Sequence, residues 1–225
     1  MGVVTRQLPQ DLGAAMTGNT SIYVVDDDFR VREAIAELLL SAGFCVTTFA
    51  CAGDYLAHAR ADLRSCLILD VELPDISGLD LQSQLDCGSH PPIIFVTGFA
   101  DVPRSVRACK AGAVDFITKP FREAQLLEAV AAALKLDDQR RVLRRARQEI
   151  QDRFAQLTPR EREVLPLVTS GLLNKQAASE LGISMVTLQI HRQRVMCKMQ
   201  ARSLPDLVRM ADMLDIPVVP QRRES

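Results

Sequence analysis

Leu67-Ile68-Leu69-Asp70-Val71-Glu72-Leu73-Pro74-Asp75-Ile76-Ser77-Gly78 is the stretch on which the fold turns. Three apolar residues end abruptly in a carboxylate, and Pro74 and Gly78 punctuate the residues after it. A short apolar run with that ending reads as a buried central strand whose carboxyl end opens into a loop. In open α/β sheets, ligands and chemistry gather outside the carboxyl ends of the strands. Asp70 stands at such a place, although an Asp there can also simply cap a turn.

Other runs repeat the pattern. Ile22-Tyr23-Val24-Val25 ends in Asp26-Asp27-Asp28, and Ile93-Ile94-Phe95-Val96 ends in Thr97. Val114–Thr118 runs into Lys119-Pro120, and Phe44–Phe49 reads as a further strand. Between them, Val31, Ile35, Leu38, Leu39 and Ala42 recur at helical spacing until Gly43. Helices are also expected near 53–61, 79–85 and 103–111. Alternating β and α segments predict a five-stranded parallel, doubly wound sheet covered on both faces, flavodoxin-like in arrangement. Asp28 suits a helix N-cap or a solvated charge.

The chain is 225 residues long with a net charge of −1, which hides an asymmetry. Residues 1–138 carry 11 Lys and Arg against 19 Asp and Glu, a net −8, whereas residues 139–225 carry 16 against 9, a net +7. An acidic half joined to a basic half implies two tasks, the second involving a polyanion. The six cysteines form no CxxC pair, so buried reduced thiols are expected rather than a disulfide framework or a zinc site. No apolar run has membrane-spanning length, and no signal-peptide h-region opens the sequence. Met1-Gly2 invites myristoylation, but Arg6 occupies the position that needs Ser or Thr. The expectation is a cytoplasmic protein without a membrane partner.

Taken together, the acidic pair, the Asp followed by Pro and Ser-Gly, the Thr-Gly and the Lys-Pro-Phe make residues 22–138 resemble the response-regulator receiver domain. The residue types fit its chemistry. Carboxylates about 4 Å apart repel by roughly 4 kcal/mol at an effective dielectric of 20, so the cluster needs a cation. A hard, oxygen-only site with positions open to water and phosphate suits Mg²⁺. The resemblance implies that Asp27 and Asp70 ligate the metal directly, Asp26 largely through water, and Glu72 through its backbone carbonyl. It further implies that Asp70 is the phosphoacceptor, with Lys119 neutralising the phosphoryl oxygens and the Thr97 hydroxyl donating to one. The Lys119–Pro120 bond is often cis in this family. Phe116 falls where the family has an aromatic switch that remodels the surface of the helix near 103–111 and the last strand. Phe99 and Glu72 depart from common relatives beside the water approach, so the phosphoryl lifetime does not carry over. A phosphohydrolase would also form an aspartyl phosphate, but it places a second Asp two residues after the nucleophile, where this chain has Glu72.

No Gly or Pro interrupts residues 121–156, and Leu136, Leu143, Ile150 and Leu157 recur every seven residues. One long helix is expected to leave the first domain as a linker. Charged Arg140 and Arg147 weaken a coiled-coil seam, so a solvated amphipathic helix with a narrow contact stripe is the expectation. Thr158, Pro159 and Glu161 then form a capping box. Asn174 opens a second short helix closed by Gly182, Ser184 caps a third, and Ser203 begins a fourth. The tight Leu181-Gly182-Ile183-Ser184 turn is a helix-turn-helix signature. Residues 157–210, through LTPREREVL, GLLNKQAASELGIS and VTLQIHRQRVMCKM, resemble the LuxR-type DNA-binding domain, and the whole chain resembles FixJ/NarL-type response regulators. Pro166 departs from the pattern and is expected to bend or weaken the first helix; Gln189 stands where relatives carry Lys or Glu.

Helical angle sorts the third helix. Met185, Leu188, Val195, Met196 and Met199 share one side, the expected core stripe. Val186, Ile190, Gln193 and Cys197 face the other way, with Gln189 and Arg194 at the borders and Thr187 and Lys198 flanking Arg194. Such a face suits the DNA major groove: amides and methyls read base edges while cations hold phosphates. The expected organisation is a flexible N-terminus (1–20), a receiver (21–138), a linker helix (139–156) and an all-α four-helix helix-turn-helix domain (157–225). The expected partners are a sensor histidine kinase, double-stranded promoter DNA, a second copy of the chain on phosphorylation, and RNA polymerase. An enzyme is not expected.

Overall fold

The computed structural model describes residues 4–6, 20–59, 62–85, 90–98 and 111–217. The chain divides into two compact units, Met1–Arg141 and Val142–Ser225.

In the first unit the strands are β1 (Val4–Arg6), β2 (Thr20–Val25), β3 (Cys45–Phe49), β4 (Arg64–Leu69), β5 (Ile93–Thr97) and β6 (Asp115–Thr118). They lie in the order β1-β3-β2-β4-β5-β6. The five strands from β2 to β6 are mutually parallel, as expected. The reading of residues 1–20 as a flexible lead-in needs correction at one place. Val4–Arg6 forms a sixth strand, antiparallel to β3 at the sheet edge. The free edge of β3 presents unpaired backbone groups, and a three-residue segment is enough to occupy them. Three residues are too short for a periodic signal.

Helices α1 (Phe29–Ser41), α2 (Ala52–Ala57) and α3 (Gly78–Gln84) follow β2, β3 and β4. The helix expected near 103–111 lies outside the described residues. Side-chain alternation splits the sheet's core in two. Ile22, Val24, Cys66, Ile68, Ile94 and Val96 pack on one face with Ile35 and Leu39 of α1. Tyr23, Val25, Leu67, Leu69, Ile93 and Phe95 pack on the other with Tyr55 and Leu81.

Helix α4 (Glu123–Ala155) is the uninterrupted helix expected from the sequence. Leu126, Val130, Ala133 and Leu134 belong to the first unit's core, and Ile150 to the second's. The seven-residue stripe is broken between them, since Leu143 and its neighbour Val142 are both exposed. Each end of the helix is apolar toward a different core, and Val142 and Leu143 between them belong to neither. The buried Asp137 carboxylate accepts the Ser65 backbone N–H at 3.0 Å. Ser65 precedes the start of the β4–β5 ladder at Leu67↔Ile93. Leu67, two residues on, sends its own N–H to Pro92. Successive odd-numbered N–H groups point the same way, so Asp137 supplies the acceptor that β5 is too short to provide. Arg141 adds bonds to the Asp62 side chain and carbonyl, both at 2.8 Å.

The second unit contains α5 (Pro159–Thr169), α6 (Asn174–Glu180), α7 (Met185–Met199) and α8 (Leu204–Met213). Their shared core includes Val164, Leu165, Val168, Ala177, Leu188, Val195, Met199 and Leu207. α5 runs through Pro166 without a break. The carbonyl deprived of its helical donor belongs to Arg162, an exposed residue within reach of solvent. Met185 also departs from the expected core stripe: it is 48 % exposed, because as the first residue of α7 it lies beyond the packed turns. Among the described cysteines, Cys45, Cys51, Cys66 and Cys197 are free thiols, and only Cys66 is fully buried.

Candidate functional site

Strand register builds the acidic site. Val25 of β2 pairs with Leu69 of β4, so Asp26 and Asp70 leave adjacent strands at one level. The Asp70 N–H donates to the Val25 carbonyl at 2.8 Å, fixing that level. Both aspartates are buried, whereas Asp27 is exposed. The carboxylates of Asp26, Asp27 and Asp70 lie within 4.8 Å of one another. Asp28 caps α1, accepting the Arg30 N–H at 2.8 Å, while its own N–H donates to Asp26 Oδ1 at 2.9 Å. The cap thereby turns the Asp26 carboxylate.

From the other side, β5 and β6 deliver Thr97 and Lys119. Thr97 pairs with Thr118, and the Lys119 N–H donates to the Thr97 carbonyl at 2.7 Å. The Lys119–Pro120 peptide is cis. Lys119 Nζ reaches Asp26 Oδ2 at 2.6 Å and Asp70 Oδ2 at 2.9 Å. Burial raises the Asp26 pKa above the usual carboxylate range, only partly offset by its bond to Lys119. Burial works against the charge on Lys119, but its hydrogen bonds to the two aspartates outweigh this and hold its pKa above the ordinary lysine value.

The loop after Asp70 is shaped by close approach. The Gly78 N–H donates to the Val71 carbonyl at 2.9 Å, and a Cβ on Gly78 would stand 2.1 Å from the Asp70 carbonyl oxygen. Glycine is required there because no side chain fits. The Glu72 N–H donates to Asp70 Oδ1 at 3.3 Å, which keeps the Glu72 peptide at the margin of the cluster. Phe116 is half-buried, its ring centroid 6.1 Å from that of Phe95. Phe99 lies outside the described residues. The donor set is oxygen-only and anionic, with one cation already present, and it fits Mg²⁺ rather than a softer metal. Arg32, which no motif marks, donates through Nη1 to the Asp26 backbone carbonyl at 2.6 Å. Its position six residues on, within a helix of ordinary composition, carried no signal.

A second candidate surface is the outward face of α7. Ser184 caps the helix, accepting the Thr187 N–H at 3.1 Å, and its hydroxyl meets that of Thr187 at 2.8 Å. Val186, Gln189, Ile190, Gln193 and Arg194 are all exposed, and Thr187 is half-buried against the cap. Arg160 holds the preceding turn through the Leu181 carbonyl at 2.6 Å, and Arg192 ties α7 to Asn174 at 3.0 Å. Lys198 is not brought to the outer flank with the others. Its Nζ donates to the buried carboxylate of Glu161 at 2.6 Å and to the Gln156 carbonyl at 3.2 Å. Glu161 also accepts the Thr158 N–H at 2.8 Å, completing the capping box. Burial opposes its charge, but the bonds from Lys198 and Thr158 prevail and hold its pKa below the usual glutamate range.

An aspartate cluster at the strand ends of a parallel sheet, bridged by a lysine, and a helix-turn-helix unit after it make this a two-domain chain of the response-regulator class. Residues 22–131 match the response regulator receiver domain, and residues 155–211 match the bacterial regulatory proteins of the luxR family. The chain belongs to the FixJ-type response regulators. It is 47 % identical over 196 residues to nodulation protein W of Bradyrhizobium diazoefficiens, covering 87 % of this chain and 86 % of that one. It is equally 47 % identical over 194 residues to response regulator protein TodT of Pseudomonas putida, covering 86 % of each. Similarity to transcriptional regulatory protein FixJ of Azorhizobium caulinodans is 44 % over 197 residues, covering 87 % and 93 %. Among solved structures, response regulator StyR superposes with a TM-score of 0.69 at 45 % identity, covering 87 % of this chain and 99 % of that one. Full-length FixJ from B. japonicum gives 0.51 at 38 % identity, covering 89 % and 99 %.

Proposed function

We propose that this chain is a phosphorylation-controlled transcription factor whose Asp70 accepts a phosphoryl group from a sensor histidine kinase. The observation that carries the reading is Lys119 Nζ held between Asp26 and Asp70, with Asp27 completing the three-carboxylate cluster. Asp26, Asp27 and Asp70, together with the Glu72 backbone carbonyl, would hold Mg²⁺, which when bound supplies charge neutralisation for the incoming phosphoryl oxygens. Asp70 Oδ attacks phosphorus, the P–N bond of the phosphohistidine breaks, and the departing imidazole keeps the electron pair. Lys119 then exchanges its carboxylate partner for a phosphoryl oxygen, and the Thr97 hydroxyl donates to another. Phe116 turns with Thr97 and changes the neighbouring surface.

The response of that surface is dimerisation, which presents two copies of α7 to an operator with two half-sites. Moving a two-state equilibrium from 1:99 to 99:1 requires roughly 5.5 kcal/mol of differential stabilisation, which phosphate contacts, dimerisation and DNA share. Sedimentation of the protein treated with beryllofluoride and Mg²⁺ is expected to show a dimer at micromolar concentration. A monomer at all concentrations, bound one-to-one to operator, overturns this step. Promoter control in the cytoplasm, with RNA polymerase as a further partner, completes the proposal.

On DNA, the exposed Gln193 amide can bond an adenine edge in two places. Losing such a pair costs about 1–3 kcal/mol of discrimination. Gln193→Ala is therefore expected to relax preference at one position per half-site, read by titration against single-base operator variants. An unchanged preference removes Gln193 from the base contacts.

A further inference from the structure

Among the described residues, eight large apolar side chains are exposed, and three of them (Met185, Val186 and Ile190) fall within the first six residues of α7. Val186 is 67 % and Ile190 46 % exposed, so neither contributes much to the core beneath, which Leu188, Val195 and Met199 fill. At 3.6 residues per turn, Val186 and Ile190 stand about 40° apart around the helix. Gln193 and Cys197 complete the same narrow stripe, and Gln189 borders it on one side. No lysine or arginine lies within it, and Arg194 stands at its border.

This composition selects among base edges. The major-groove edge presents one apolar group, the thymine C5-methyl, whereas guanine is read mainly by a bidentate Arg or Lys. A stripe of two aliphatic side chains beside one amide, Gln193, matches thymine methyls beside an adenine N6/N7 edge, and its centre lacks the cation that guanine calls for. We propose that Val186 and Ile190 are specificity-determining residues that read thymine methyl groups, so that each half-site is centred on A·T pairs. This inference rests on the DNA-binding reading above and adds the base chemistry to it. Short β-branched side chains suit the role, because they leave the helix close to the base edges and have little conformational freedom to lose.

The test begins with selection of duplexes from a random-sequence pool by the full-length chain, with and without beryllofluoride. The most enriched duplex is then resynthesised with deoxyuridine in place of one thymidine at a time, which removes only the methyl. One or two thymidines per half-site are expected to respond, each substitution weakening binding about fourfold, the equivalent of about 0.8 kcal/mol for one buried methyl. Val186→Ala and Ile190→Ala should each make one of those positions insensitive to uracil while leaving the far-UV circular dichroism unchanged, since both side chains are exposed. Tight binding that ignores every uracil substitution overturns this inference and leaves the DNA-binding reading standing. Silence to uracil, combined with altered sedimentation of DNA-free Val186→Ser protein, also overturns it, because the face then serves contact between copies. Failure to enrich any duplex under either condition overturns the DNA-binding reading and this inference with it.

Discussion

Asp70→Asn is expected to reduce phosphoryl uptake to background while the fold persists. The substitution removes the nucleophilic oxygen and one carboxylate of the cluster but almost no volume, and Asp70's backbone bond to Val25 is untouched. Incubation with acetyl phosphate and Mg²⁺, followed by quantification of base-labile phosphate on intact protein, measures it. Labelling of the variant at the unmodified protein's level removes Asp70 from the role of acceptor. Asp27→Ala should fail differently. Asp27 is exposed and belongs to the cluster without bonding to Lys119 in the way Asp26 and Asp70 do, so its loss should weaken metal affinity. Raising Mg²⁺ should then restore much of the labelling, and an unchanged Mg²⁺ requirement overturns that assignment.

Lys198→Ala is expected to destabilise the second unit by about 2–3 kcal/mol. Removing one partner of a fully buried pair costs about 3–5 kcal/mol, because the other charge is left uncompensated. Lys198 is itself one-third exposed, so solvent reduces the loss. The buried partner also links α7 to the start of α5, since Glu161 accepts from both Lys198 and Thr158. Thermal or urea unfolding of the variant measures the effect, and an unchanged midpoint overturns it. The pH dependence has a definite sign. The pKa of Glu161 is depressed on folding, so this contribution is present in full above the unfolded value of about 4.5 and is lost as pH falls through the folded one. Lys198→Ala should therefore flatten the acid limb of the stability profile as well as lower its plateau.

The acidic site was legible in the sequence because its members end strands. In Leu67-Ile68-Leu69-Asp70 and Ile22–Asp26, the change from apolar to charged marks the strand end, and parallel strands align those ends by register. The five parallel strands, the helix through residues 123–155 and the capping boxes rest on local patterns of the same kind, with periods of two or 3.6 residues or fixed cap spacings. Gly78 was visible as a turn residue, but the reason for it, the Asp70 carbonyl where a Cβ would stand, was not.

Partner choice across long sequence separations was decided by the tertiary structure. Helical angle placed Lys198 on the DNA flank beside Arg194, but the angle could not say that Glu161, 37 residues earlier, would be buried within 2.6 Å of its ammonium group. Asp137 carries no sequence signal of its own, yet it serves the backbone of Ser65, 72 residues away, because β5 begins too late to do so. Val4–Arg6 found the edge of β3 with too few residues to carry a pattern. The sequence by itself determined which segments form elements and which ends carry chemistry, because those follow from periodicity and from the change from apolar to polar residues. The pairing of the remaining polar groups depended on the final packing, because a buried charge or N–H takes whichever partner the assembled fold brings within reach.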